Sequence, residues 1–221
     1  MRRFMLVGLA IGAILLQGSA ASASWVSTNC YVSNANDTIY KRSEARAYAE
    51  VAMFEGYEWG GGCWNDNDKD DTPGQPDSSG EGPDCSGFTF KTWELENGFG
   101  VSGFQWWNKF QNIHGPYTSA TFHAPQASYP FYKLANKSRL TTNYMDAFAK
   151  DGHIGMLYTS VNPGENTDYI IEAKGDVPGT DVFIEDFRFD SAYIGVRREG
   201  WTLDCYPNCP PEAAGRLIVV P

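Results

Sequence analysis

One short segment of the chain places a nucleophilic side chain at the start of a predicted helix. The run Asp84-Cys85-Ser86-Gly87-Phe88 enters a helix-permissive stretch, and Asp84 is a suitable N-cap. The N–H groups and dipole of a first helical turn stabilise a thiolate, and the same groups can bind an oxyanion. Cys85 is therefore the predicted nucleophile for acyl transfer; the alternative is a half-cystine or an inert buried thiol.

A cysteine nucleophile needs a general base, and the base needs an orienting group. Of the three histidines, His114 and His123 lie in irregular segments and are interpreted as loop histidines. His153 opens a predicted strand, and Glu172 lies on the next strand. If the numbers of directly paired residues on these two strands sum to an odd value, the side chains of His153 and Glu172 lie on the same face of the sheet. If the register shifts by one residue, they lie on opposite faces.

The five cysteines of the chain bear on the same assignment. An odd number in an exported protein leaves one thiol unpaired. Pairing of Cys205 with Cys209 and of Cys30 with Cys63 would leave Cys85 free, although the sequence does not choose among the connectivities. A zinc site is disfavoured, because there is no Cys-x-x-Cys pair and no histidine at ligand spacing to another.

The elements that must position these residues follow an amino-terminal leader. In residues 1–23, Arg2 and Arg3 precede a short apolar run and an A-x-A cleavage site, which predicts a secretory signal peptide. Residues 24–40 predict a polar arm, and residues 41–221 a single catalytic domain. We expect a secreted protein, extracellular or periplasmic, that does not contact the membrane after signal cleavage.

Helical patterns come first in this domain and strand patterns later. Helices are predicted over Ser43–Phe54 and Ser86–Leu95, and no element is assigned to residues 100–140. Strands are predicted over His153–Val161, Tyr169–Ala173, Val182–Phe187, Ala192–Arg197 and Leu217–Val220. This order predicts an α+β fold with a mainly antiparallel sheet. A net charge of −10 argues against a non-specific nucleic-acid binder, which needs a basic face.

Three segments in order resemble the NlpC-type peptidases, papain-like cysteine enzymes of bacterial cell-wall metabolism. They are Gly56-Tyr57-Glu58-Trp59-Gly60-Gly61, then Asp84-Cys85-Ser86-Gly87-Phe88, then Met145-Asp146-Ala147-Phe148 with Gly152-His153-Ile154-Gly155. The resemblance implies a papain-like fold, with N-terminal helices packed on a C-terminal sheet. It also implies Cys85 as nucleophile and His153 as general base and acid. The third position of the family, usually His, Asn or Gln, falls here on Glu172.

The resemblance also suggests how substrate binds. In some members the tyrosine of the first segment and the aspartate before the nucleophile contact the substrate's amino group. Tyr57, Asp84 and Ser86 are accordingly assigned to substrate binding. Met145 departs from the pattern, because the family usually has glycine there.

These expectations describe a monomeric hydrolase of peptidoglycan stem peptides that needs no cofactor. Two other functions stay open: a catalytically silent wall-peptide or carbohydrate-binding protein on the same fold, and a toxin-like amidase or acyltransferase. The acidic loop 66–77 has carboxylates at spacings similar to those of a calcium loop. It lacks the required glycine and the final glutamate, so a solvated acidic loop is preferred and no metal residue is assigned.

Overall fold

The chain adopts an α+β fold in a computed structural model that describes residues 41–64, 82–95, 114–160, 165–175 and 179–201. The described helices are α1 (Arg42–Glu50), α2 (Cys85–Thr92) and α3 (Ser119–His123). The described strands are β1 (Gly62–Cys63), β2 (Gly82–Pro83), β3 (Phe131–Lys133), β4 (Ala147–Lys150), β5 (His153–Ser160), β6 (Asp168–Ala173), β7 (Thr180–Glu185) and β8 (Ile194–Arg198).

Six of these strands form one antiparallel sheet, in the order β3-β8-β4-β5-β6-β7. The helix α2 packs on β5 and β6, α3 packs on β4, and α1 packs on α2. The predicted α+β class and antiparallel sheet are thus confirmed. The core between helices and sheet is strongly aromatic and includes Trp64, Phe88, Trp93, Phe122 and Phe131.

The helix α2 is buried along its whole length, as its composition requires. All eight of its residues are buried, and its apolar side chains do not keep to one stripe. The small antiparallel pair β1–β2 covers its first turn. In this pair Gly62 is paired with Pro83 and Cys63 with Gly82. The segment Asp84–Phe88, which contains the predicted nucleophile, is therefore buried in the molecule.

Several predicted boundaries differ from the observed ones. The helix α1 ends at Glu50 and continues as turns to Phe54, which has a positive φ of 75°. Strands β3 and β4 carried no sequence assignment. β3 is only three residues long, and three of the four β4 residues are buried, so neither shows the alternation of a half-exposed strand.

A buried carboxylate ties the first helix to the sheet. Asp146 accepts three hydrogen bonds from Arg197 Nε and Nη2 and lies 2.8 Å from Arg42 Nη2. Arg42 also donates to the carbonyl of Tyr144 at 2.5 Å. The preceding Met145 has a φ of 61°, in the left-handed region that favours glycine. Met145 thus adopts a backbone conformation that glycine would take without strain.

Several predictions fall on residues outside the described ranges. They concern the signal peptide 1–23, the arm 24–40, the acidic loop 66–77, the strand Leu217–Val220 and the cysteines Cys30, Cys205 and Cys209. Within the described ranges, no helix has the length and apolar character needed to cross a membrane.

Candidate active site

Cys85 is the first residue of α2, and Asp84 fixes that helix start. The Asp84 Oδ1 accepts from the backbone N–H of Gly87 at 2.6 Å, which is the predicted N-cap bond. Cys85 is 6% exposed and carries a free thiol. Its sulfur therefore lies at the positive end of a helix, where backbone N–H groups favour negative charge.

His153 lies against this thiol from the first position of β5. Its Nε2 is 2.5 Å from Glu172 Oε2, and its ring also hydrogen-bonds with Cys85. Because Glu172 engages Nε2, Nδ1 is the ring nitrogen that is left for the sulfur. The ring packs edge-on against Phe187, with centroids 5.6 Å apart, which restricts its rotation. The structure thus brings together Cys85, His153 and Glu172, the three predicted catalytic residues.

Glu172 reaches the imidazole from the neighbouring strand β6. Met156 pairs with Ile171 and Leu157 with Ile170. The numbers of paired residues therefore sum to an odd value in the part of the β5–β6 pairing that lies nearer His153. His153 and Glu172 therefore share a face. Gly155 lies on the same face between them, and a Cβ there would be 3.2 Å from the Cβ of Glu172. The missing side chain leaves room for the carboxylate to approach the ring.

Glu172 is fully buried, although a solvated carboxylate was the alternative expectation. Lys174 Nζ lies 3.3 Å from Glu172 Oε1, an ion-pair distance, and 2.7 Å from Glu185 Oε1. Burial lowers the pKa of Lys174, but its bond to Glu185 and the charge of Glu172 outweigh burial and raise it. Two cationic partners, the imidazolium and this ammonium, thus compensate a carboxylate that has no access to water.

The protonation of His153 follows from its neighbours. Burial disfavours the charged ring, but the hydrogen bonds to Cys85 and Glu172, with the charges of both, outweigh burial and raise the pKa of His153 to about 9. The ring is therefore an imidazolium at neutral pH. An imidazolium beside the sulfur can supply the proton that a leaving amine needs.

Asp84 does more than cap the helix. Its Oδ2 accepts from the backbone N–H of Gly60 at 3.0 Å, and its Oδ1 accepts from Ser86 Oγ at 3.1 Å. The backbone N–H of Asp84 donates to the carbonyl of Gly61 at 3.1 Å. Hydrogen bonds of Asp84 therefore connect the first predicted motif, residues 56–61, to the second, residues 84–88.

Tyr57 is half-buried beside these groups. Burial raises the pKa of its phenol, and the negative charges of Cys85 and Asp84 raise it further. The phenol consequently remains a hydrogen-bond donor at neutral and mildly alkaline pH. All three residues assigned to substrate binding, Tyr57, Asp84 and Ser86, thus lie around the first turn of α2.

His114 was missed by sequence reasoning as a residue of this site. Its Nε2 lies 2.8 Å from Ser86 Oγ and 3.2 Å from Asp84 Oδ2, and its Nδ1 lies 2.8 Å from the carbonyl oxygen of Gly115. No spacing in the sequence signals this contact, because it joins residues 28 and 30 positions apart. His123, the other histidine interpreted as a loop residue, is the last residue of α3.

Within the described ranges, no three His, Cys, Asp or Glu side chains converge as a group that could hold a metal ion. Comparisons of the chain with known protein families, curated proteins and solved structures find no match.

Proposed function

We propose that the protein is a secreted cysteine hydrolase of the papain-like type that cleaves amide bonds in peptidoglycan stem peptides. The observation that carries the proposal is the contact of His153 with both Cys85 and Glu172. A thiol, an imidazole and an orienting carboxylate in mutual contact are the parts that thiol-dependent acyl transfer requires. The resemblance of three motifs to the NlpC-type peptidases supports the choice of substrate class.

Acylation begins with attack of the Cys85 sulfur on the substrate's amide carbon. A carbon–sulfur bond forms, and the N–H groups at the start of α2, including that of Cys85, stabilise the oxyanion. The carbon–nitrogen bond then breaks, and the imidazolium of His153 gives its proton to the leaving amine. The product is a thioester on Cys85 and a neutral imidazole.

Deacylation uses the same residues, but His153 now acts as a general base instead of a general acid. The neutral His153 takes a proton from water, and the resulting hydroxide attacks the thioester carbon. Collapse of that intermediate breaks the carbon–sulfur bond and restores the thiolate–imidazolium pair. The product leaves as a carboxylic acid and loses its proton to solvent. Glu172 keeps the ring in place and stabilises its charged form through the cycle.

The test is digestion of purified peptidoglycan followed by mass spectrometry of the released fragments. The proposal expects peptide fragments from the wild type, and none from folded Cys85→Ala or His153→Ala proteins. Rapid alkylation of Cys85 by iodoacetamide, slowed in His153→Ala, would support the activated thiol independently. Binding to peptidoglycan without fragment release and with an unreactive Cys85 would favour the silent binding protein instead.

A further inference from the structure

A second histidine stands beside the nucleophile, between two residues expected to contact substrate. His114 Nε2 is within 3.2 Å of Asp84 Oδ2 and 2.8 Å of Ser86 Oγ. Its Nδ1 is 2.8 Å from the carbonyl oxygen of Gly115, which can only accept a hydrogen bond. Asp84 is a carboxylate that likewise accepts. The hydroxyl of Ser86 donates its one proton to Asp84 Oδ1, so its oxygen accepts at Nε2. With acceptors at both ring nitrogens, this arrangement favours the doubly protonated, cationic form of His114.

The carboxylate of Asp84 is engaged from several sides. It accepts from the backbone N–H groups of Gly60 and Gly87 and from the hydroxyl of Ser86, and His114 lies against its Oδ2. An ionised carboxylate offers roughly four acceptor directions. These four neighbours use the acceptor capacity that an incoming ammonium group would need.

We propose that His114 determines the charge of the substrate group that binds beside Cys85. Its imidazolium fills the cation position between Asp84 and Ser86, so the site accepts an acylated amine and excludes a free ammonium. This inference rests on the proposed function and narrows it. The substrates are stem peptides whose amino terminus is still amide-linked to the glycan, in preference to free peptides.

The surroundings of the ring favour its positive charge. Burial opposes protonation, but the hydrogen bond and charge of Asp84, with the carbonyl of Gly115, raise the pKa of His114 overall. Asp84 is the N-cap that immediately precedes Cys85, which places the ion pair next to the nucleophile. A substrate ammonium brought there would meet an existing cation, and juxtaposed like charges are costly when partly desolvated.

The experiment compares three forms of one stem tripeptide, with its terminal amine free, acetylated or succinylated. Binding is measured by calorimetry in a Cys85→Ala background, where no turnover occurs, and kcat/KM is measured with intact Cys85. Each is repeated with His114→Ala and with His114→Gln, which is neutral but keeps polar atoms near Asp84. His123→Ala serves as the matched control.

We expect the two acylated forms to bind at least about tenfold more tightly than the free amine when His114 is present. Both His114 variants should reduce or reverse that ratio, because Asp84 then lacks its cation, and His123→Ala should leave the ratio unchanged. Equal binding of all three forms, no binding of any form, or an unchanged ratio in both His114 variants would overturn the inference. A correct binding ratio without hydrolysis by the wild type would refute the proposed function alone.

Discussion

Gly87, in the first turn of α2, lies directly against the backbone of Gly61. A Cβ at position 87 would be 1.9 Å from the Gly61 carbonyl oxygen and 3.2 Å from Asp84 Oδ1. A Cβ at position 61 would be 2.0 Å from the carbonyl oxygen of Gly82. The close approach of these backbones explains why both motifs contain glycine where they meet. It also holds Cys85, the residue that follows Asp84, in position.

The Gly87→Ala variant should therefore be less stable, although alanine is the better helix former by about 1 kcal/mol. Backbone cannot move aside as a flexible side chain does, and overpacking typically costs about 1–3 kcal/mol. Urea unfolding should show a net loss of stability, and peptidoglycan hydrolysis should fall because Cys85 moves with the helix start. Gly175→Ala is the control, since a Cβ there meets no atom within 4 Å. Equal stability of the two variants would contradict the steric account.

Removal of the predicted base should be as damaging as removal of the nucleophile. We expect His153→Ala to lower turnover by about 10²–10⁴-fold or more, and the Cys85→Ala/His153→Ala double variant to lose little beyond either single variant. Steady-state hydrolysis of peptidoglycan fragments measures this, with circular dichroism as the folding control. His123→Ala should retain activity. A folded and fully active His153→Ala protein would disprove the assignment.

Glu172→Gln should lower turnover partially. The amide keeps the shape and an acceptor oxygen for the His153 ring, but it loses the charge that stabilises the imidazolium. Glu172→Ala should be slower still and less stable, because it also leaves a cavity at a fully buried position and removes a partner of Lys174. Kinetics and thermal unfolding on both variants separate the two effects. Unchanged turnover in both would move the orienting role to another residue.

The pH dependence should report the raised pKa of His153, about 9. Activity that needs the imidazolium is lost as pH rises through that value, so kcat/KM should fall in the alkaline range. The stabilisation that folding gains from protonating His153 is fully present below about 6.5 and is lost as pH rises towards about 9. In Glu172→Gln the alkaline limb should shift to lower pH, because Glu172 supplies part of the negative charge that raises the pKa of His153. An alkaline limb that stays in place would mean that Glu172 does not set this pKa.

Met145 allows a test of backbone strain. Its φ is 61°, its side chain is fully buried, and its N–H and C=O bond to Leu157 and Trp93. Both Met145→Ala and Met145→Gly should lose about 2–5 kcal/mol through the cavity. The glycine variant should nevertheless be the more stable, by up to about 1 kcal/mol, because alanine retains the left-handed strain. At Ala149, in β4, glycine should instead be less stable than alanine. If chemical unfolding gave a glycine-minus-alanine difference in free energy of the same sign at both positions, strain at Met145 would be refuted.

Local chemistry was sufficient to predict the start of α2 from the sequence. An N-cap bond joins residues three positions apart, so Asp84, Gly87 and the position of Cys85 follow from adjacent letters. The α+β class and the strands His153–Ser160 and Asp168–Ala173 were also predictable, from hydrophobic runs between turn signals. The contact of His114 with Asp84 was not, because long-range packing places a residue from an irregular segment there.

The tertiary structure also decided whether His153 and Glu172 face each other. Beyond the bulge between Leu157 and Thr159, Thr159 pairs with Tyr169, and the paired numbers sum to an even value. Had that register continued to the end of the hairpin, the two side chains would lie on opposite faces of the sheet. The bulge inserts one residue into β5 and restores the odd sum on the side of Cys85. No local pattern of letters specifies such an insertion, since it depends on how β5 and β6 pair and pack within the folded sheet.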